Sequence, residues 1–73
     1  LASPDDLLFR ALIVKFCADR QMAVDESLVG YLASRIERSY AAPRRTVEFL
    51  DSEALRLGRP VTRALAAELL RKA

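Results

Sequence analysis

The chain contains no histidine and a single cysteine, Cys17, and these two shortages remove most of the familiar catalytic and metal-binding chemistry. Without imidazole no Ser–His or Cys–His nucleophile pair can be assembled. One thiol supports neither a disulfide framework nor a zinc site of several thiolates, and a reducing, cytoplasmic setting fits such cysteine usage best. Cys17 falls within an apolar helical stretch and reads as a buried structural thiol. Glycine and proline are also scarce, at two and three residues. They fall between apolar-periodic segments, where punctuation is expected, and do not form a linker or low-complexity tract. The longest wholly apolar run of the first helical segment, Ala11 to Val14, stops at Lys15, far short of the roughly 20 residues of a membrane span. No secretory signal pattern occurs. Nor does a GxxxxGK[ST] loop, a Gly-rich dinucleotide fingerprint or an acidic metal loop, so this segment cannot bind and hydrolyse a nucleotide by itself.

What is present suits one small folded domain, residues 1–73. Ordering a chain costs roughly 1.5 kcal/mol per residue, so a short domain needs a dense apolar core, and 52% hydrophobic residues among 73 can supply one. The formal net charge is +2 and the pI about 9.1. Arginine and lysine are scattered, so nucleic-acid binding is permitted but not demanded. The chain starts at Leu1, not at methionine, and goes almost directly into a helix-start signal, which reads as a piece of a longer protein.

Caps and periodicity divide the chain into helices, with no competing strand pattern. Ser3-Pro4-Asp5-Asp6 combines a capping hydroxyl, a proline suited to the first helical position and acids that complement the positive end of the dipole. Helix one is expected over 4–20. Leu7, Ala11, Val14 and Ala18 form one apolar stripe, extended by Leu8, Leu12 and Phe16, while Phe9 and Ile13 lie on nearly the opposite side. That is more apolar surface than one small core should use, so Phe9 and Ile13 are expected to face another protein surface. Asp25 caps a second helix ending near Arg38, with Leu28, Leu32 and Ile36 buried. Ser39 caps a third, whose first turn tolerates Pro43 and whose core stripe is Val47, Leu50, Ala54 and Leu57 before the stop at Gly58. Thr62 caps a fourth, to about Lys72, that buries Leu65 and Leu69. The expected fold is all-α, a compact four-helix bundle.

Few residues carry chemistry. Asp5 with Asp6 and Asp51 with Glu53 are the closest carboxylate clusters, but the first belongs to a helix start and the second lies on a helix whose other face is core. Arg35, Arg38, Arg44 and Arg45 form the one concentration of charge that suits phosphate. A solvated basic face is the simpler alternative. A free-standing helical module reading DNA is a second alternative, although Glu48, Asp51 and Glu53 share helix three with its arginines.

Ser3-Pro4-Asp5-Asp6, Arg10, the run Ala33-Ser34-Arg35-Ile36-Glu37-Arg38-Ser39 and the segment Gly58-Arg59-Pro60-Val61-Thr62 together resemble the lid subdomain of DnaA/Hda-type AAA+ proteins. In that family a proline-acid helix start follows the ATPase core, an acidic turn opens helix two, an arginine-containing junction opens helix three and a Gly-x-x-[IVL]-Thr segment opens the last helix. The resemblance covers essentially the whole chain. The run from Arg35 to Asp51, with Leu50-Asp51 near its end, is closer to the Hda-like regulators than to the initiator.

The resemblance implies a four-helix AAA+ lid-like bundle that is not itself an enzyme and that packs on the nucleotide-binding core of an intact parent, an AAA+ ATPase holding ATP or ADP. It implies a role in controlling chromosomal replication initiation, with the initiator DnaA and the sliding clamp as partners. The surface carrying Phe9 and Ile13 would then meet the parent's own AAA+ core, or a second copy where the core is missing. The family's sensor-2 arginine lies near the start of the third lid helix. Ungapped alignment on Arg35, Val47 and Leu50 puts Ala41 there, and Arg44 and Arg45 follow one turn later. Arg45, four residues on and nearly on the same face, is the surviving candidate for phosphate contact, with Arg44 beside it.

Overall fold

The computed structural model describes residues 4–72, with side-chain surroundings for 5–71. The expected cap at Ser3 lies outside the described residues. Four helices follow one another: α1 (Pro4–Asp19), α2 (Glu26–Arg35), α3 (Ala41–Leu57) and α4 (Arg63–Lys72). Among the described residues there is no strand.

Three starts use the same device. The Asp25 carboxylate accepts from the Leu28 N–H at 2.8 Å, the Ser39 hydroxyl from Ala42 at 3.2 Å and the Thr62 hydroxyl from Leu65 at 3.1 Å, each satisfying an amide that has no partner within its helix. Pro43 sits in the first turn of α3, where its missing N–H costs no helical bond. Two helices end in a left-handed residue. Gly58 (φ 68°) closes α3, with the Arg59 N–H donating to Ala54 O at 3.0 Å and Gly58 N–H to Leu55 O at 3.2 Å. Gln21 (φ 56°) does the same after α1, where Met22 N–H donates to Cys17 O and Gln21 N–H to Ala18 O, both at 2.9 Å. Both are Schellman closures, the second without glycine.

α1 packs against α2 and α3, and α2 against α4. The core joins Phe9, Ile13, Phe16 and Cys17 of α1 to Leu28 and Leu32 of α2, Val47 and Leu50 of α3, and Leu65 and Leu69 of α4. This corrects the assignment of faces on α1. Phe9 and Ile13, expected on an outward surface, are 8% and 0% exposed within the bundle's own core, while Leu7 and Leu8 are 58% and 70% exposed. Ala11, Val14 and Ala18 are exposed with them. The residues 9, 13, 16 and 17 are as good a helical stripe as 7, 11, 14 and 18. The larger side chains of the first set, two of them aromatic, fill the space between α1 and the helices it packs against better than a stripe containing two alanines.

Two smaller differences have local causes. α2 ends at Arg35, with Ile36 already extended (φ −85°, ψ 140°), and not near Arg38. Breaking the helix there lets Arg38 reach back to α1, where its guanidinium donates to Asp6 Oδ1 at 2.6 Å and stands 5.0 Å from the Phe9 ring centre. Leu57, expected in the core stripe of α3, is 41% exposed in the last turn of the helix. The radius of gyration, 11.5 Å, is close to the roughly 11 Å of a compact chain of this length.

Candidate functional site

The arginines between the end of α2 and the first turns of α3 do not share one surface function. Arg38 is tied to α1 through Asp6, which also accepts from Arg10 Nε at 2.9 Å. These two charged hydrogen bonds, Arg38 first and Arg10 second, hold the Asp6 carboxyl below its ordinary 3.8. Asp6 therefore links the first turn of α1 to the α2–α3 junction. Arg35 lies over the Tyr31 ring, 5.2 Å from its centre.

Arg44, in the first turn of α3, lines a cleft of about 280 Å³ against the end of α1, together with Lys15, Asp19, Arg20, Tyr40 and Glu48. Arg20 itself is held by Asp51 at 2.9 Å and Glu48 at 3.8 Å. The acids of α3 thus bind the end of α1 to α3, and a DNA groove would find carboxylates along that helix. Arg45 is exposed. Neither Arg44 nor Arg45 forms an ion pair among the described residues. Ala41, at the expected sensor position, is half-buried and has no polar group to offer.

The acidic clusters have structural partners. Asp6 is occupied as described, Asp51 holds Arg20, and Glu53 accepts from Arg56 Nη2 and Nε at 2.9 and 3.2 Å, which lowers its carboxyl below the usual range. Cys17 is fully buried. Its thiol is pushed up, first by burial and then by the charge of Asp51, so it has little thiolate character. No group of three or more His, Cys, Asp or Glu among the described residues is arranged to hold a metal ion. No helix among them is long and apolar enough to cross a membrane.

Comparison of the chain with protein-family models, with curated proteins and with solved structures finds no match. The functional reading therefore rests on the motifs and on the geometry above.

One grouping was not legible in the chain. Arg35 and Arg63, from the end of α2 and the start of α4, both stand over the Tyr31 ring, Arg63 at 5.7 Å from its centre, and Arg71, from the far end of α4, lines a groove with Arg35 and Tyr31. Separations of this size along the sequence carry no local signal; only the α2–α4 packing brings them together.

Proposed function

We propose that this chain is the helical lid of a DnaA-related AAA+ protein of the Hda-like kind, which packs on a nucleotide-binding core and helps control replication initiation together with the initiator and the sliding clamp. The observation that carries the reading is the outer face of α1. Leu7, Leu8, Ala11, Val14 and Ala18 are all exposed on the helix that would follow the core directly, and a neighbouring domain would remove that apolar surface from water. The occupant we assign is the parent's own ATPase core. The capped junctions at Asp25, Ser39 and Thr62, with Gly58 closing α3, agree with the order of elements in that family's lid.

In this reading Arg45 takes over phosphate contact from the position held by Ala41. It is exposed and has no ion pair among the described residues, so no bond among them has to break before it reaches an anion, and its fork can bind phosphate oxygens in a bidentate fashion. The displacement along α3 is about one turn, roughly 5 Å, which a long side chain leaning toward the helix N-terminus partly recovers. The chain itself is not an enzyme; ATP or ADP would be held by the core.

The coding sequence upstream of Leu1 is expected to contain a P-loop ATPase core, and its absence would overturn the assignment. In the intact protein, Arg45→Ala is expected to weaken binding of a fluorescent ADP analogue by about tenfold, the loss of one charge-assisted contact, while leaving the melting temperature unchanged. Arg38→Ala is expected to do the reverse, loosening the fold through Asp6 with nucleotide affinity retained. Equal nucleotide affinity in wild type and Arg45→Ala would refute the role given to Arg45.

A further inference from the structure

We propose that the groove between α2, the start of α3 and α4 is a docking site for an acidic peptide segment of a partner protein, anchored by one apolar side chain and held by Arg35 and Arg71. The groove has a volume of about 480 Å³, room for a few side chains. Its wall mixes apolar groups, Ile36 and Leu70 among them, with the two guanidiniums.

Charge complementarity selects the occupant. Arg10, Arg20, Arg38, Arg56 and Arg59 each reach a carboxylate. Arg35, Arg63 and Arg71 reach none among the described residues. Arg35 and Arg63 are instead placed over Tyr31, a contact that orients a guanidinium while leaving N–H groups at its edge to donate. Donors fixed in advance lose less freedom on binding a carboxylate than waving side chains do. Glu37 is the one carboxylate lining the groove, so Arg35 and Arg71 leave a local excess of positive charge, with Arg63 nearby on the Tyr31 ring.

The same features disfavour a nucleic acid. A base stacking on Tyr31 would have to displace a guanidinium, Glu37 would repel a continuous phosphate backbone, and a net charge of +2 gives little long-range attraction. A short peptide can place its carboxylates at the arginines and keep them off Glu37. The proposal asks nothing of an upstream ATPase core and stands apart from the lid assignment.

The test is fluorescence anisotropy with a labelled peptide Glu-Glu-Leu-Phe-Glu-Glu at low salt. Saturable binding is expected. It should weaken at least tenfold in the Arg35→Ala/Arg71→Ala variant, and several-fold on raising salt from ~20 to ~200 mM as screening sets in. The Arg44→Ala/Arg45→Ala variant removes the same charge elsewhere and should bind like wild type. Tyr31→Phe should also retain binding, whereas Tyr31→Leu should lose several-fold by releasing the guanidiniums; circular dichroism identifies folded variants. No binding, equal loss in the two arginine variants, or equal binding of the peptide Gln-Gln-Leu-Phe-Gln-Gln would overturn the proposal. So would tighter binding of an oligothymidine that the same Arg35/Arg71 variant abolishes, since the groove would then be a nucleic-acid site.

Discussion

Truncating Ile13 should be among the most damaging single changes in this chain, and truncating Leu8, five residues away on the same helix, among the least. Ile13 is 0% exposed and Leu8 is 70% exposed. Ile→Ala and Leu→Ala delete the same three carbons, so the comparison isolates burial. At about 0.8 kcal/mol per buried methylene, the transfer loss at Ile13 is about 2.4 kcal/mol. The cavity left between α1 and its neighbours raises the total to ~3–4 kcal/mol. At Leu8 less than a third of the side chain leaves water on folding, and alanine is a slightly better helix former, so the change should cost no more than ~0.5 kcal/mol.

A domain of this length is stable by roughly 4–11 kcal/mol, so Ile13→Ala would remove about a quarter of that or more. Each kcal/mol shifts the melting temperature of so small a domain by roughly 4–8 °C, which predicts a fall of at least ~12 °C for Ile13→Ala and at most ~4 °C for Leu8→Ala. Thermal and urea unfolding followed by circular dichroism measures both. A loss at Leu8 equal to that at Ile13 in the isolated chain would show that the face assigned to the core of α1 is wrong. Under the proposed lid assignment, Leu8→Ala should by contrast become costly in the intact protein, since a core packed on this face would bury what is exposed here.

Gln21 adopts a left-handed conformation that side chains other than glycine occupy at a cost of about 1 kcal/mol, so Gln21→Gly is expected to raise stability by ~0.5–1 kcal/mol in urea melts; a decrease would mean the closure of α1 depends on the glutamine side chain. Asp6 has its folded-state pKa lowered by Arg38 and then Arg10, so the unfolded chain takes up this proton first as pH falls. Its contribution is therefore complete above the ordinary 3.8 and disappears as pH drops through the lower folded value; Asp6→Asn should flatten the stability profile in that acid window, and an unchanged slope would count against the Asp6 link. Cys17, with its raised thiol and full burial, should react with a disulfide reagent only as fast as the domain opens, and immediate labelling of the native protein would contradict the packing around it.

Much of the fold was legible in the chain because its signals are local. A cap is a hydroxyl or carboxylate three residues before the amide it serves, and Asp25, Ser39 and Thr62 each do what their place in the sequence indicates. Gly58 stops α3 because it occupies the left-handed region without a Cβ penalty. The buried positions of α2 and α4 follow from a single apolar stripe on each. Gln21 closes α1 with no such cue, since nothing in a glutamine advertises positive φ.

The chain by itself determined an all-helical domain, the order of its elements, the thiol's burial and the exclusion of imidazole and multi-thiolate chemistry, all of which depend on residue identity and near-neighbour spacing. Tertiary structure decided which side of α1 faces inward. Two apolar stripes of comparable quality compete there, and the volume left by the helices packed against α1 selects Phe9, Ile13, Phe16 and Cys17. It also decided the fate of the arginines. Arg38 and Asp6 are 32 residues apart in sequence yet share a 2.6 Å hydrogen bond, and Arg35 and Arg63 meet over Tyr31 only because α4 returns to α2. Charges interact through space, and only the packing of the helices sets which of them are close.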